Sequence, residues 1–425
     1  MEIVHDVAND TTHDVAARAE QLARVAYGRL LAILAAKDGD IESAEDCLAD
    51  AFAQALRTWP EAGIPDNPEA WLLTVARNRR HDLRRAAGNR LSVRLDDVAQ
   101  RGSDLVMQEL DAGAIPDRRL ALLFVCAHPA IDRAVHTPLM LQTVLGFDAA
   151  QIARAFAIPA TAMAQRMVRA KRRIQAARIP FVVPERDQMA DRVAPVLEAI
   201  YGAYAIDFLV AGTEPRDSLA AESHYLAITL AELLPDEPEA LGLAALISLS
   251  LARGPARGTR DEFVSLDEQD TSRWDAELVK SGEQYLHRAR HLDRIGRFQL
   301  EAAIQSVHCA RATSGVTDWR GLLTLHAALV AIAPTLGARV AHAATIARVN
   351  GAQEGLDALD AIAGEAVQRF QPAWATRAQL LADAGRTKEA VHAYEHAISL
   401  TTDNAARRYL EHRVALLREG EREGR

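Results

Sequence analysis

The sequence predicts an all-α protein on three observations. Alanine is very frequent in a chain that is 49% hydrophobic but only 5% aromatic, a balance that favours close helix-on-helix packing. Alternating Val/Ile/Thr runs, the signature of strands, are nearly absent. Apolar residues instead recur at helical spacing through most of the 425 residues and stop at Pro and Gly clusters.

Taken in order, residues 25–36 form an apolar helix ending near Lys37, Asp38 and Gly39. Residues 41–58 form an amphipathic helix with Leu48, Phe52 and Leu56 on one face. The WPEAGIPDNP stretch, 59–68, is a Pro/Gly turn cluster. Asn67 and Pro68 then supply an N-cap and a first helical residue. The helix that follows, EAWLLTVARNRRHDLRRA, begins apolar and ends basic. Residues 88–116 are polar and irregular and read as a linker.

A second helical unit spans 117–178. Within it Asp148 is an N-cap and Ile152 and Phe156 share a face. Pro159 fits the first turn of the next helix, on which Met163, Met167, Ala170 and Ile174 make a buried stripe. Pro180 and Pro184 mark a boundary. Beyond about 190 the chain is Ala/Leu-rich helix, with loops at 235–238, 254–260 and 315–318. Near the C-terminus, Trp374, Ala378, Leu381, Gly385, Ala390, Tyr394 and Ala397 fall at the spacings of a tetratricopeptide repeat over 371–404. One repeat cannot bury its own face, so neighbouring helices must stack on it.

The net charge of −9 excludes one continuous nucleic-acid surface over the whole chain, but not local basic helices. Two such helices stand out. One ends in Arg77, Arg79, Arg80, His81, Arg84 and Arg85. The other places Gln165, Arg166, Arg169, Lys171, Arg172 and Arg173 off its apolar stripe, the layout of a helix-turn-helix whose second helix enters a major groove. A handful of cations on phosphates supplies most of a nucleic-acid affinity through counterion release.

Three separated cysteines with no CxxC suggest neither disulfides nor a thiolate metal site, and a reduced cytoplasmic protein is expected. The first fifteen residues lack a basic start and an apolar core, so no signal peptide is expected. The longest apolar run, 241–252, is too short to span a bilayer. Cys126 and His128 read as a packed thiol and a helix-end imidazole. Asp236, Glu237 and Glu239 read as a helix start. No phosphate loop, nucleophile elbow or HExxH motif is present, so no enzyme, cofactor or metal is expected.

The stretch AEDCLADAFAQALRTWPEAGIPDNPEAWLLTVARNRRHDLRR resembles region 2 of bacterial sigma-70-family factors of the extracytoplasmic-function group. The stretch RRLALLFVCAHPAIDRAVHTPLMLQTVLGFDAAQIARAFAIPATAMAQRMVRAKRRI resembles their region 4. IPFVVPERD, LLPDEPEALGLAAL, LDEQDTSRWDAELV and GRFQLEAAIQSVHCA are similar to the long helical extension, of DUF6596 type, of one subgroup. The chain departs from that subgroup at 204–215 and 341–344, both in the extension.

The resemblance implies a region-2-like unit at 1–88, a linker at 89–116, a region-4-like unit at 117–178, a second linker at 179–192 and an extension at 193–425. It implies a promoter-specificity subunit whose partners are core RNA polymerase (β′ clamp helices and β flap) and promoter DNA, with no membrane. Asp46, Asp50, Gln54 and Arg57 would dock on polymerase. Trp71, Arg77, Arg80 and Arg84 would hold the opened −10 element by stacking and backbone charge. Gln165, Arg166 and Arg169 would read bases of the −35 element, with Lys171, Arg172 and Arg173 on phosphates. The acidic extension would fold back on the basic units or recruit a protein partner.

Overall fold

A computed structural model describes residues 3–36, 39–88, 115–156, 158–179, 181, 184, 186–208, 219–259 and 262–423. Nineteen α-helices run through them. The β-structure among these residues is one antiparallel ribbon, β1 (Gly258–Thr259) against β2 (Glu262–Phe263). The fold is all-α, as composition and periodicity predict. The chain divides into two compact units, Met1–Asp207 with Pro215–Thr229, and Phe208–Glu214 with Leu230–Arg425.

The first unit contains α1 (Ile3–Ala35), α2 (Ile41–Ala62), α3 (Pro68–Gly88), α4 (Ile115–Cys126), α5 (Arg133–Thr143), α6 (Ala149–Ala155), α7 (Ala160–Ala176), α8 (Arg186–Phe208) and the start of α9 (Leu219–Leu233). The predicted caps are present. Asn67 Oδ1 accepts from Ala70 N at 3.0 Å. Asp148 and Gln151 exchange bonds, Asp148 Oδ1 accepting from Gln151 N at 2.7 Å and Gln151 Oε1 from Asp148 N at 3.0 Å. Such caps satisfy donors that the first helical turn leaves open, worth about 1 kcal/mol each. Pro159 stands at the N-cap of α7, one residue earlier than its expected place.

The core of this unit joins Leu30, Leu31 and Leu34 of α1, Leu48 of α2, Leu72 and Leu73 of α3, Leu122, Leu123 and Phe124 of α4 and Leu139 of α5. On α2 the buried stripe is Ala44, Cys47, Leu48, Ala51, Ala55 and Trp59. Leu56, expected on that face, is exposed. Trp59, expected in the turn, is a buried part of the last helical turns. The chain of α1 passes so near the Val144 carbonyl that a Cβ at Gly28 would overlap it, so only glycine permits this approach.

Two ion pairs tie elements distant in sequence, Arg29 with Glu69 and Arg119 with Glu222. Arg119 is 5% exposed and its guanidinium lies 5.7 Å from the Tyr225 ring centre. Burial, with Arg29 nearby, pushes its pKa down to about 10.

The first compact unit does not end with α7. Helix α8 begins at Arg186 and buries Val193, Val196, Leu197, Ile200 and Tyr204, so the compact unit continues to Asp207. Its apolar stripe requires a partner surface, and Gly202 faces Leu141 of α5. The expected linker at 89–116 lies outside the described residues except at 115–116, which open α4, as does most of the departure at 204–215.

The second unit holds α10 (Pro238–Ala252), α11 (Ala276–Arg290), α12 (Arg297–Cys309), α13 (Arg311–Ser314), α14 (Trp319–Ile332), α15 (Leu336–Asn350), α16 (Ala352–Asp360), α17 (Gln371–Asp383), α18 (Thr387–Leu400) and α19 (Asn404–Glu423). The apolar run of 241–252 is the buried α10, hydrophobic on every face and packed on α11 and α12. Its start is the acidic cluster: Glu237 caps it, and the Glu239 carboxylate accepts from Phe298 N at 2.9 Å and Gln299 N at 3.2 Å.

From α14 onward each helix packs chiefly on its chain neighbours. In the α17–α18 hairpin Ala378, Ala390 and Ala397 are fully buried, so the backbones approach closely. Gly385 makes the turn at φ +73°. The ribbon strand β2 meets α19, where Phe263 and Tyr409 stand edge to face at 5.1 Å.

Candidate nucleic-acid interface

Helix α7 separates its two kinds of residue. Met163, Met167, Ala170 and Ile174 are buried as their spacing predicts, while Gln165, Arg166, Arg169, Arg172 and Arg173 are exposed. Side chains every three to four residues share a face, so the apolar stripe seats the helix and turns the amide and guanidinium groups outward. These forks match the paired acceptors of a guanine edge, and Gln165 matches adenine.

Lys171 departs from the expected phosphate grip. It is 6% exposed and its Nζ donates to both carboxylate oxygens of Glu45 on α2, at 2.7 and 2.6 Å. A phosphate has no access to it in this arrangement. Position 171 lies four residues after Met167 and eight after Met163, on the edge of the buried stripe, a signal that its charge concealed. Arg172 stands beside it with a longer pair to Glu42, 3.4 Å, and stays exposed. Burial holds the Glu45 carboxyl above its ordinary range, against the opposing pull of Lys171.

On α2, Asp46, Asp50, Gln54 and Arg57 all lie exposed, along the outward face. Arg57 donates to Gln54 Oε1 at 2.8 Å and Gln54 to Thr58 Oγ1 at 2.9 Å. Asp50 pairs with Arg79 of α3 at 2.8 Å.

On α3 the expected row splits. Trp71 is half-buried, its ring edge to face with Trp59 at 5.5 Å. Arg77 is half-buried. Arg80 does not line a wet surface: it is 7% exposed and its guanidinium donates to the Leu34 carbonyl at the end of α1. The reason is again positional, since Leu72, Leu73, Ala76 and Arg80 continue one apolar face. Burial lowers its pKa. The Arg84 side chain lies outside the described residues. The exposed groups are Arg79, His81 and Arg85, which the sequence placed in the basic end without singling them out.

Cys126 is fully buried and within 3.5 Å of Thr143 Oγ1, and His128 accepts from Ala130 N at 3.1 Å. Among the described residues no three His, Cys, Asp or Glu side chains converge as a metal site. No helix among them is long and apolar enough to cross a membrane.

Helices α1 to α3 coincide with a match to the family model "Sigma-70 region 2", which covers residues 19–90. The chain belongs to the sigma-70 family. Residues 192–290 of this sigma-70-family protein match a family of unknown function, DUF6596, which forms its extension. The chain is 32% identical over 378 residues to an uncharacterized protein of Rhizobium meliloti (strain 1021), covering 87% of this chain and 89% of that one. No solved structure matches. Family membership gives the sigma-70-family protein a sigma-factor-like role in transcription initiation, with RNA polymerase core and promoter DNA as general partners.

Proposed function

We propose that this protein is a promoter-specificity subunit of the extracytoplasmic-function type, without catalytic residues of its own. The exposed row Asp46, Asp50, Gln54 and Arg57 docks on the polymerase β′ clamp helices. The α3 surface around Trp71, Arg77 and Arg84, joined by Arg79, His81 and Arg85, holds the opened −10 strand. Helix α7 reads the −35 element through Gln165, Arg166 and Arg169. The observation that carries this reading is the division of α7 into a buried apolar stripe and an exposed row of amide and guanidinium side chains.

Elements centred about 25 base pairs apart lie on the order of 80 Å apart at ~3.4 Å per pair. With α7 ion-paired to α2, one compact unit cannot cover both. The arrangement is therefore a closed form, and promoter binding separates α7 from α2. Breaking the pair frees Lys171 to join Arg172 and Arg173 on phosphates.

The extension regulates this separation or recruits a partner. Glu222 and Tyr225 of α9 hold Arg119 of α4, so its first helices are bound into the DNA-binding unit. The small-residue α17–α18 hairpin supports a tetratricopeptide-like repeat as its docking element. Run-off transcription with purified core polymerase tests the proposal: initiation at a promoter that core alone ignores supports it, and absence of initiation at every promoter offered counts against it.

A further inference from the structure

We propose that His287 and His291 form a divalent-metal site at the carboxyl end of α11. Both imidazoles are exposed, four residues apart on one helix face. Their Nε2 atoms converge to 2.9 Å, with ring centres 4.4 Å apart and ring planes at 87°. Without metal, one Nε2–H donates to the other nitrogen, and in water such a bond is worth little. A metal ion takes the place of that proton and uses both lone pairs.

The spacing of the two nitrogens already lies close to what one shared ion requires. Imidazole nitrogens bind at about 2.0–2.1 Å, so two of them at a right angle around one ion stand about 2.9 Å apart. A tetrahedral ion would need about 3.3 Å. Right-angle nitrogen pairs suit tetragonal Cu2+ and Ni2+, and the general order of affinities places Cu2+ first.

The surroundings admit a cation. The site lies on the last turn of α11, where carbonyl groups point outward and favour positive charge. Of the nearby arginines, Arg288 is drawn to Glu232 at 2.7 Å and lies over Tyr285. Arg294 donates to the Asp236 carbonyl at 2.8 Å. Two guanidinium charges are thus engaged with other groups, while Arg290 in the same turn is exposed. The remaining coordination positions go to water, so the ion exchanges freely. The residue after His287 is Arg288, where a metallohydrolase helix of the H-E-x-x-H type carries its general base. The site therefore binds metal without hydrolytic chemistry, and its effect is to clamp the end of α11.

The test is isothermal titration of the full-length protein with CuCl2 and then NiCl2, beside His287→Ala, His291→Ala and the double variant. Alanine at an exposed helical position preserves the fold, which far-UV circular dichroism checks. The wild type is expected to show a Cu2+ site weakened about tenfold or more in each single variant, roughly 1.4 kcal/mol. Its Cu2+ electron paramagnetic resonance spectrum is expected to be tetragonal, with nitrogen splitting that the double variant lacks. Affinity should fall as pH is lowered, because protons compete for both nitrogens. Equal Cu2+ affinity in wild type and double variant, or a spectrum unchanged by the substitutions, overturns the proposal.

Discussion

The Lys171 ammonium on α7 bonds both carboxylate oxygens of Glu45 on α2, 126 positions away, and both side chains are largely withdrawn from water. The pair joins the helix to which we assign base reading to the helix whose outer face we assign to polymerase. Removing one partner leaves a poorly solvated charge. Lys171→Met is expected to destabilise the first unit by about 1–3 kcal/mol, whereas adding Glu45→Gln restores part of the loss. Urea unfolding of the two single variants and the double variant measures this coupling.

Exposed forks on α7 are expected to discriminate bases. Arg166→Ala and Arg169→Ala should each weaken binding to the cognate −35 sequence by about 1–3 kcal/mol and relax specificity at one position. Arg173→Ala, assigned to a phosphate, should weaken binding to all sequences alike and reduce the salt slope by about one. Fluorescence anisotropy on a set of single-base variants, repeated across salt concentrations, separates the two behaviours.

Arg80 and Arg85 lie on one helix but have different surroundings. Arg80→Ala removes the donor to the Leu34 carbonyl and should cost about 1–3 kcal/mol of stability. Arg85→Ala should leave stability within about 0.5 kcal/mol and weaken single-strand binding. Thermal unfolding beside strand binding distinguishes a structural cation from a binding one.

The second unit should lose stability in mild acid. Burial, with Arg253 near His308 and with His342 near His326, pushes both imidazoles down to about 4 from an ordinary 6.5. Between those values the unfolded chain binds more protons than the folded one, so stability rises with pH across the window. It is fully present above 6.5 and is lost as pH falls toward 4. The contribution of His308 is at most about 3 kcal/mol. Denaturant midpoints from pH 7 to pH 4 check the slope, and His308→Gln should flatten it.

Periodicity made the architecture legible. The stripe Met163, Met167, Ala170 and Ile174, the caps Asn67 and Asp148 and the all-apolar α10 follow from local spacing and turn chemistry. Lys171 and Arg80 were misplaced because residue type was weighed above position: both occupy buried stripes, where a single long-range partner accommodates their charge. Glu45 and the Leu34 carbonyl are remote in sequence and no local pattern announces them. Pro180 and Pro184 punctuate the chain, yet the apolar face of α8 returns to the same unit.

Everything proposed for the first unit rests on the outer face of α2 docking on polymerase. Affinity of the full-length protein for purified core polymerase, compared with the Asp50→Ala/Gln54→Ala variant, tests it most directly. Both residues are exposed, and the Asp50–Arg79 surface pair contributes at most about 1 kcal/mol to stability. Binding is expected to weaken about tenfold or more with no comparable loss of stability. Unchanged affinity in the variant would contradict it.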